Sequence, residues 1–180
     1  MRKIIYLLFS ATLMLFCSNA FSQVSLFIKA LDNNGVLLNG GSKDPAHLNQ
    51  IEAFSYSQGA SNACSTCVPQ GSDFTFMMSL NAAAIGMRQL LFKSLHLQSV
   101  DVVYRKTSGT ATVDFYKMHM EDVIITSYQE SGSNEIPTVS VSINPARQAW
   151  QYTAIKSDGT AGTKTKGGWD FGSNSEYNYY

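Results

Sequence analysis

The chain has 180 residues, 13 Lys and Arg against 13 Asp and Glu, and only 14% charged side chains. That balance shows no excess of the positive charge that phosphate backbones require, which argues against a nucleic-acid partner. The length suits one domain with a substantial core, and a surface filled by Ser, Thr, Asn, Gln and Gly repels its own copies weakly enough to tolerate self-association.

The amino terminus reads as an export signal. Arg2 and Lys3 are followed by an apolar run from Ile4 to Phe16, then by Ser18-Asn19-Ala20-Phe21-Ser22. Ala20 and Ser22 fit the small-x-small pattern of signal peptidase, so residues 1–22 form a Sec-type signal peptide with cleavage after Ser22 and a periplasmic or secreted product. The run of about 13 apolar residues falls short of the ~20 of a spanning helix. Phe16 stands where lipidation of Cys17 would need a small residue. Cleavage removes two bases and no acid, leaving 11 basic and 13 acidic residues.

Strand signals dominate the rest. Val24–Leu31 leads to the turn cluster Asp32-Asn33-Asn34-Gly35, and Ile51–Gln58 precedes a long Ser/Gly/Asn-rich loop, Gly59–Ser72. Asp73–Leu80 places Phe74, Phe76, Met78 and Leu80 on one face. Asn81 caps a helix over Ala82–Leu95, with Ala84, Met87, Leu91 and Leu95 at helical spacing and Leu90 beside them, despite Gly86. Val100–Lys106 and Ala111–Ser127 flank the hairpin signal Thr107–Gly109, and Ser131–Asn134 is a turn. Pro137–Ile143 alternates cleanly, Trp150–Lys156 is a further strand, and Ser157–Gly168 reads as a glycine-rich loop. The domain spans residues 23–172 and a flexible tail covers 173–180. One helix among seven or more strands predicts a mainly β fold, a barrel or sandwich with the helix on one open side or end.

Few residues invite chemistry. Cys64 and Cys67 predict a local disulfide in an oxidising compartment; redox catalysis wants a helix start, zinc wants two more ligands, and a bridge between copies is the remaining alternative. His47, His96 and His119 are scattered. His119 shares a strand face with Lys117 and Glu121, where chelation is the sharp reading and a solvated or lumen-facing strand face the bland one. Met77, Met78, Met87, Met118 and Met120 fall on strand and helix faces and read as core filling, and Trp150 and Tyr152 as core or subunit packing. No nucleophile elbow, zinc-hydrolase helix or phosphate loop occurs, so neither an enzyme nor a cofactor is expected.

The ordered set of these elements resembles the Hcp family, the haemolysin-coregulated proteins of the type VI secretion tube. Val24-x-Leu26-Phe27-Ile28-Lys29, Glu52-Ala53-Phe54-Ser55-Tyr56-Ser57, and Asp73–Leu80 running into the helix carry the likeness. So do Val100-x-Val102-x-Tyr104-Arg105-Lys106, Val113–Thr126, Val139-x-Val141-x-Ile143 followed by Tyr152, and Gly168-Trp169-Asp170. The resemblance implies a barrel of two β-sheets with one helix at its side, assembling with itself into a homohexameric ring. Such rings stack into a tube, carry effector proteins in the lumen and meet other type VI components. It also implies that the extended loop between the second and third strands, here Gly59–Ser72, makes subunit or ring-stacking contacts. By position these fall to Gly59, Ser61, Asn62, Cys64, Cys67, Gln70 and Ser72. Two features depart from the family: its tube subunits leave without a cleaved signal, and the cysteine pair sits in the stacking loop. The alternative expectation is an exported monomeric β-barrel binding module or a secreted effector acting outside the injection apparatus.

Overall fold

A computed structural model describes residues 23–64, 67–108 and 111–180. The expected signal peptide, residues 1–22, lies outside the described residues, as does the tip of the Thr107–Gly109 hairpin from residue 109. The elements are β1 (Gln23–Leu31), β2 (Ile51–Ser57), β3 (Ala60–Ser61), β4 (Gln70–Gly71), β5 (Phe74–Ser79), α1 (Ala82–Lys93), β6 (Leu97–Ser108), β7 (Ala111–Ser131), β8 (Thr138–Ile155), β9 (Ala161–Asp170) and β10 (Ser175–Glu176).

Six strands close a barrel in the order β8-β5-β2-β1-β6-β7, with β7 returning to β8, and every pairing is antiparallel. Closure follows from the two most cleanly alternating segments meeting each other. Phe74, Phe76 and Met78 of β5 lie opposite Ile143, Val141 and Val139 of β8, and all six are fully buried. Their pleats put both apolar faces inward, so the same side chains that predicted the strands fix the register. From β8 the sheet continues outward to β9 and β10.

Strand β8 corrects the expectation of two separate strands. It runs unbroken through Pro145. The pairing with β5 ends at Ile143 and that with β9 begins at Arg147, so the proline, which has no N–H to donate, stands where one flank of β8 changes neighbours. The expected loop Ser157–Gly168 is likewise a turn followed by β9. Residues 173–180, expected to be a flexible tail, pair briefly as β10 and then lie against the barrel.

Helix α1 begins where Asn81 Oδ1 accepts the Ala84 N–H at 3.1 Å and ends at Ser94 in the left-handed region (φ 51°). Leu95 therefore leaves the helical stripe. Ala83, Ala84, Met87 and Leu90 are buried and join the barrel core beside β7. Gly86 makes room for the connection between β1 and β2: a Cβ there would stand 2.9 Å from a methyl of Leu38.

Candidate assembly surfaces

Residues 59–64 and 67–72 of the loop Gly59–Ser72 form the two sides of a mostly exposed arm. Ala60 pairs with Gly71 and Ser61 with Gln70. The Ser72 hydroxyl clasps its base, accepting the Gly59 N–H at 2.7 Å and lying 2.8 Å from the Gly59 carbonyl. Nearer the tip, Asn62 Oδ1 accepts the Cys64 N–H at 3.3 Å, and the Cys64 and Cys67 sulfurs are bonded with their Cα atoms 5.1 Å apart. All seven residues singled out in the loop thus lie on one short hairpin, most of them exposed. A groove of 290 Å³ separates the arm from β8, with Gln58, Val68, Asn144, Gln148 and Phe171 among its walls. Across its floor the amides of Gln58 and Gln148 bond reciprocally, at 2.7 and 2.8 Å.

Apolar side chains reach solvent on separate parts of the barrel. On α1, Phe92 is 75% exposed and Ile85 is also exposed. Arg88 lies over the rings of both Phe92 and Tyr128 and pairs with Glu130 at 3.5 Å. On β8, Trp150 and Tyr152 are part-exposed, and the indole leans over Gly167. Beyond them the outer edge of β9 from Ala161 to Gly167 has no strand partner among the described residues. Lys164 and Lys166 stand on that edge, the residue type that discourages unspecific strand addition.

The histidines occupy three different settings. His47, within the connection between β1 and β2, is buried, stacked on Phe27 at 4.2 Å, with Nδ1 3.0 Å from Gln50 Oε1. Next to it Arg105 bridges Asp114 at 2.7 Å and Asp44 at 2.9 Å. Burial opposes ionisation of Asp114, but the Arg105 guanidinium outweighs it and holds the carboxyl below its ordinary range. His96 is exposed and meets Asp122 at 2.6 Å.

His119 corrects one sequence expectation, for in the single chain it is buried and not solvated. Its Nδ1 lies 2.5 Å from Asp101 Oδ1 and its Nε2 3.2 Å from Glu121 Oε1, while Arg147 approaches Glu121 at 3.2 Å. Tyr179 covers the ring from above, stacked at 3.6 Å and within 7° of parallel. Burial works against the imidazolium, yet the two carboxylates outweigh it and push the histidine's pKa up. Asp101, Arg147 and the tyrosine tail were invisible as partners in the sequence. Only the register that sets Asp101 opposite His119, and His119 opposite Ala149, brings them together.

Among the described residues each histidine's hydrogen-bond partner is a carboxylate or an amide, and no group of three or more His, Cys, Asp or Glu is arranged to hold a metal ion. No helix among them is long and apolar enough to cross a membrane.

Residues 27–152 match the family described as "Type VI secretion system effector, Hcp". No curated protein matches. The fold is similar to that of Hcp1 from Salmonella typhimurium, with a TM-score of 0.70 and 21% identity over 86% of this chain and 99% of that one. It is similar to a type six secretion system protein with a TM-score of 0.77 and 20% identity, over 86% of this chain and 100% of that one. A type VI secretion system effector from Yersinia pestis aligns with a TM-score of 0.65 and 20% identity, over 81% and 98% of the two chains.

Proposed function

The chain belongs to the Hcp family of type VI secretion system effector proteins, and on that premise we propose that it is a self-assembling, non-enzymatic subunit of a homohexameric ring. Rings of this kind stack into a tube whose lumen takes up effector proteins, and no cofactor enters the work. The observation that carries the reading is the placement of exposed apolar side chains on separate faces, Phe92 and Ile85 on α1 and Trp150 and Tyr152 on β8. Two different patches on one subunit suit head-to-tail contacts, which close into a ring when the rotation between neighbours allows. The arm Gly59–Ser72, stiffened by Cys64–Cys67, is assigned to contacts between subunits or stacked rings.

Residues 1–22 are assigned to export, with the mature chain starting at Gln23 and acting in the periplasm or outside the cell. The test is the solution mass of the chain from Gln23, purified with and without reductant. A hexamer in both conditions supports the ring. A monomer in both overturns it and favours a secreted binding domain.

A further inference from the structure

The last residues cross the outer face of β9, β8 and β7 as a bound peptide crosses a receptor. The Tyr177 N–H donates to the Gly168 carbonyl at 3.1 Å, and a Cβ at Gly168 would stand 2.2 Å from the Tyr177 carbonyl oxygen, so the strand beneath must lack a side chain there. The Arg147 guanidinium sits over the Tyr177 ring, 5.8 Å from its centroid. Tyr179 lies flat on His119, and Lys166 Nζ donates to the backbone carbonyl of Tyr180. Four side chains or gaps on three strands thus read successive features of one short segment, from Tyr177 to Tyr180.

The fit is loose enough to exchange. Cavities of 550 and 340 Å³ open beside the tail, and Tyr179 lines both. Its tether is slight: the turn at 171–174 is held by the Asp170 carboxylate, which accepts the exposed N–H groups of Gly172 and Ser173, and β10 contributes only two residue pairs. Without the tail the face would expose an aromatic seat over His119, ringed by Asp101, Glu121, Lys117 and Arg147.

We propose that this face of β7–β9 is a binding site for a short tyrosine-rich peptide segment, filled in the single chain by its own Tyr177–Tyr180 and open to the same segment of a second copy. A second copy carries the identical Tyr177–Tyr180 segment, so each contact made within the chain has an equivalent between chains. The inference is independent of ring formation, since tails can exchange between any two copies.

The test uses full-length mature chain and a fluorescent synthetic peptide of residues 173–180. A chain bearing Tyr177→Ala and Tyr179→Ala, with an unchanged circular dichroism spectrum, is expected to bind the peptide saturably. Wild-type chain should bind it at least 10-fold more weakly, because its own tail competes at high effective concentration. A peptide with Ala at the Tyr179 position should lose at least 10-fold. Equal binding of the two peptides, or no binding to the open chain, overturns the site. A second measurement avoids variants of the groove: a photo-crosslinking residue replaces Tyr179 in one chain, mixed with isotopically heavy wild-type chain. Links from the light tail to the heavy β7 support exchange between copies, and links confined to single chains overturn it.

Discussion

Gln58 and Gln148, ninety positions apart, exchange two hydrogen bonds through their side-chain amides, so the end of β2 is fastened to β8 across the floor of the arm groove. Gln148 is buried, and its Nε2 also lies 2.8 Å from Met118 Sδ. Replacing Gln58 by Ala leaves a buried amide half satisfied, a loss of about 1–3 kcal/mol. The double change Gln58→Leu with Gln148→Leu should cost less than the sum of the single changes, because neither amide is then orphaned. Denaturant unfolding of the four chains measures the coupling, and strict additivity would sink the pairing.

The cap of α1 gives a simpler number. Asn81→Ala removes the acceptor for the Ala84 N–H and should lower stability by about 1 kcal/mol, whereas Asn81→Gly should cost only a few tenths. Thermal melts of the two variants check the order.

His119 sets a pH dependence with a definite sign. Its folded pKa is raised, so its contribution is complete below the unfolded value of about 6.5 and disappears as pH rises through the folded value. The groups facing it are Asp101, Glu121 and Tyr179, with Arg147 acting on Glu121. The stability gap between wild type and His119→Gln should therefore be larger at pH 6 than at pH 9. A gap that widens with pH contradicts the assigned carboxylate contacts.

Arg105 works in the opposite direction. Against the opposing effect of burial it holds Asp114 below its ordinary pKa, and Asp44 is held low by the Ala46 N–H first and by Arg105 next, so stability from this cluster is present above about pH 4 and lost as pH falls through the folded values. Arg105→Met should cost about 2 kcal/mol at neutral pH, through charged hydrogen bonds lost beside buried His47. The penalty should shrink in acid, as pH-dependent unfolding of the two chains would reveal.

The disulfide closes too short a segment to make the fold. Cys64→Ser with Cys67→Ser should lower stability by no more than about 2 kcal/mol and leave the solution mass unchanged. Collapse of an assembly to monomers would show that the bond acts between copies.

What could be read before folding follows from burial. β5 and the first half of β8 alternate because one face of each enters the core, and α1 shows its stripe for the same reason. β9 reads as a loop in the sequence because it buries no apolar face of its own: its exposed positions after Ala161 are Thr and Lys, and Gly167 and Gly168 leave space for the Trp150 ring and the Tyr177 backbone. The contacts of the tail were not legible because its anchors, Gly168, Arg147 and His119, come from strands whose register no local pattern states.

The threefold role of β8 has a consequence for synthesis. β5 and β7 each need β8 as a neighbour, so a chain of which only residues 23–131 have emerged, at the ribosome or beyond the export channel, has two unpaired strand edges and apolar faces without their cover. Closure waits for residues 138–155, and until then the nascent chain is vulnerable to pairing with another of its kind. Whatever holds such chains apart must act on this incomplete sheet and can let go once β8 has slid into place.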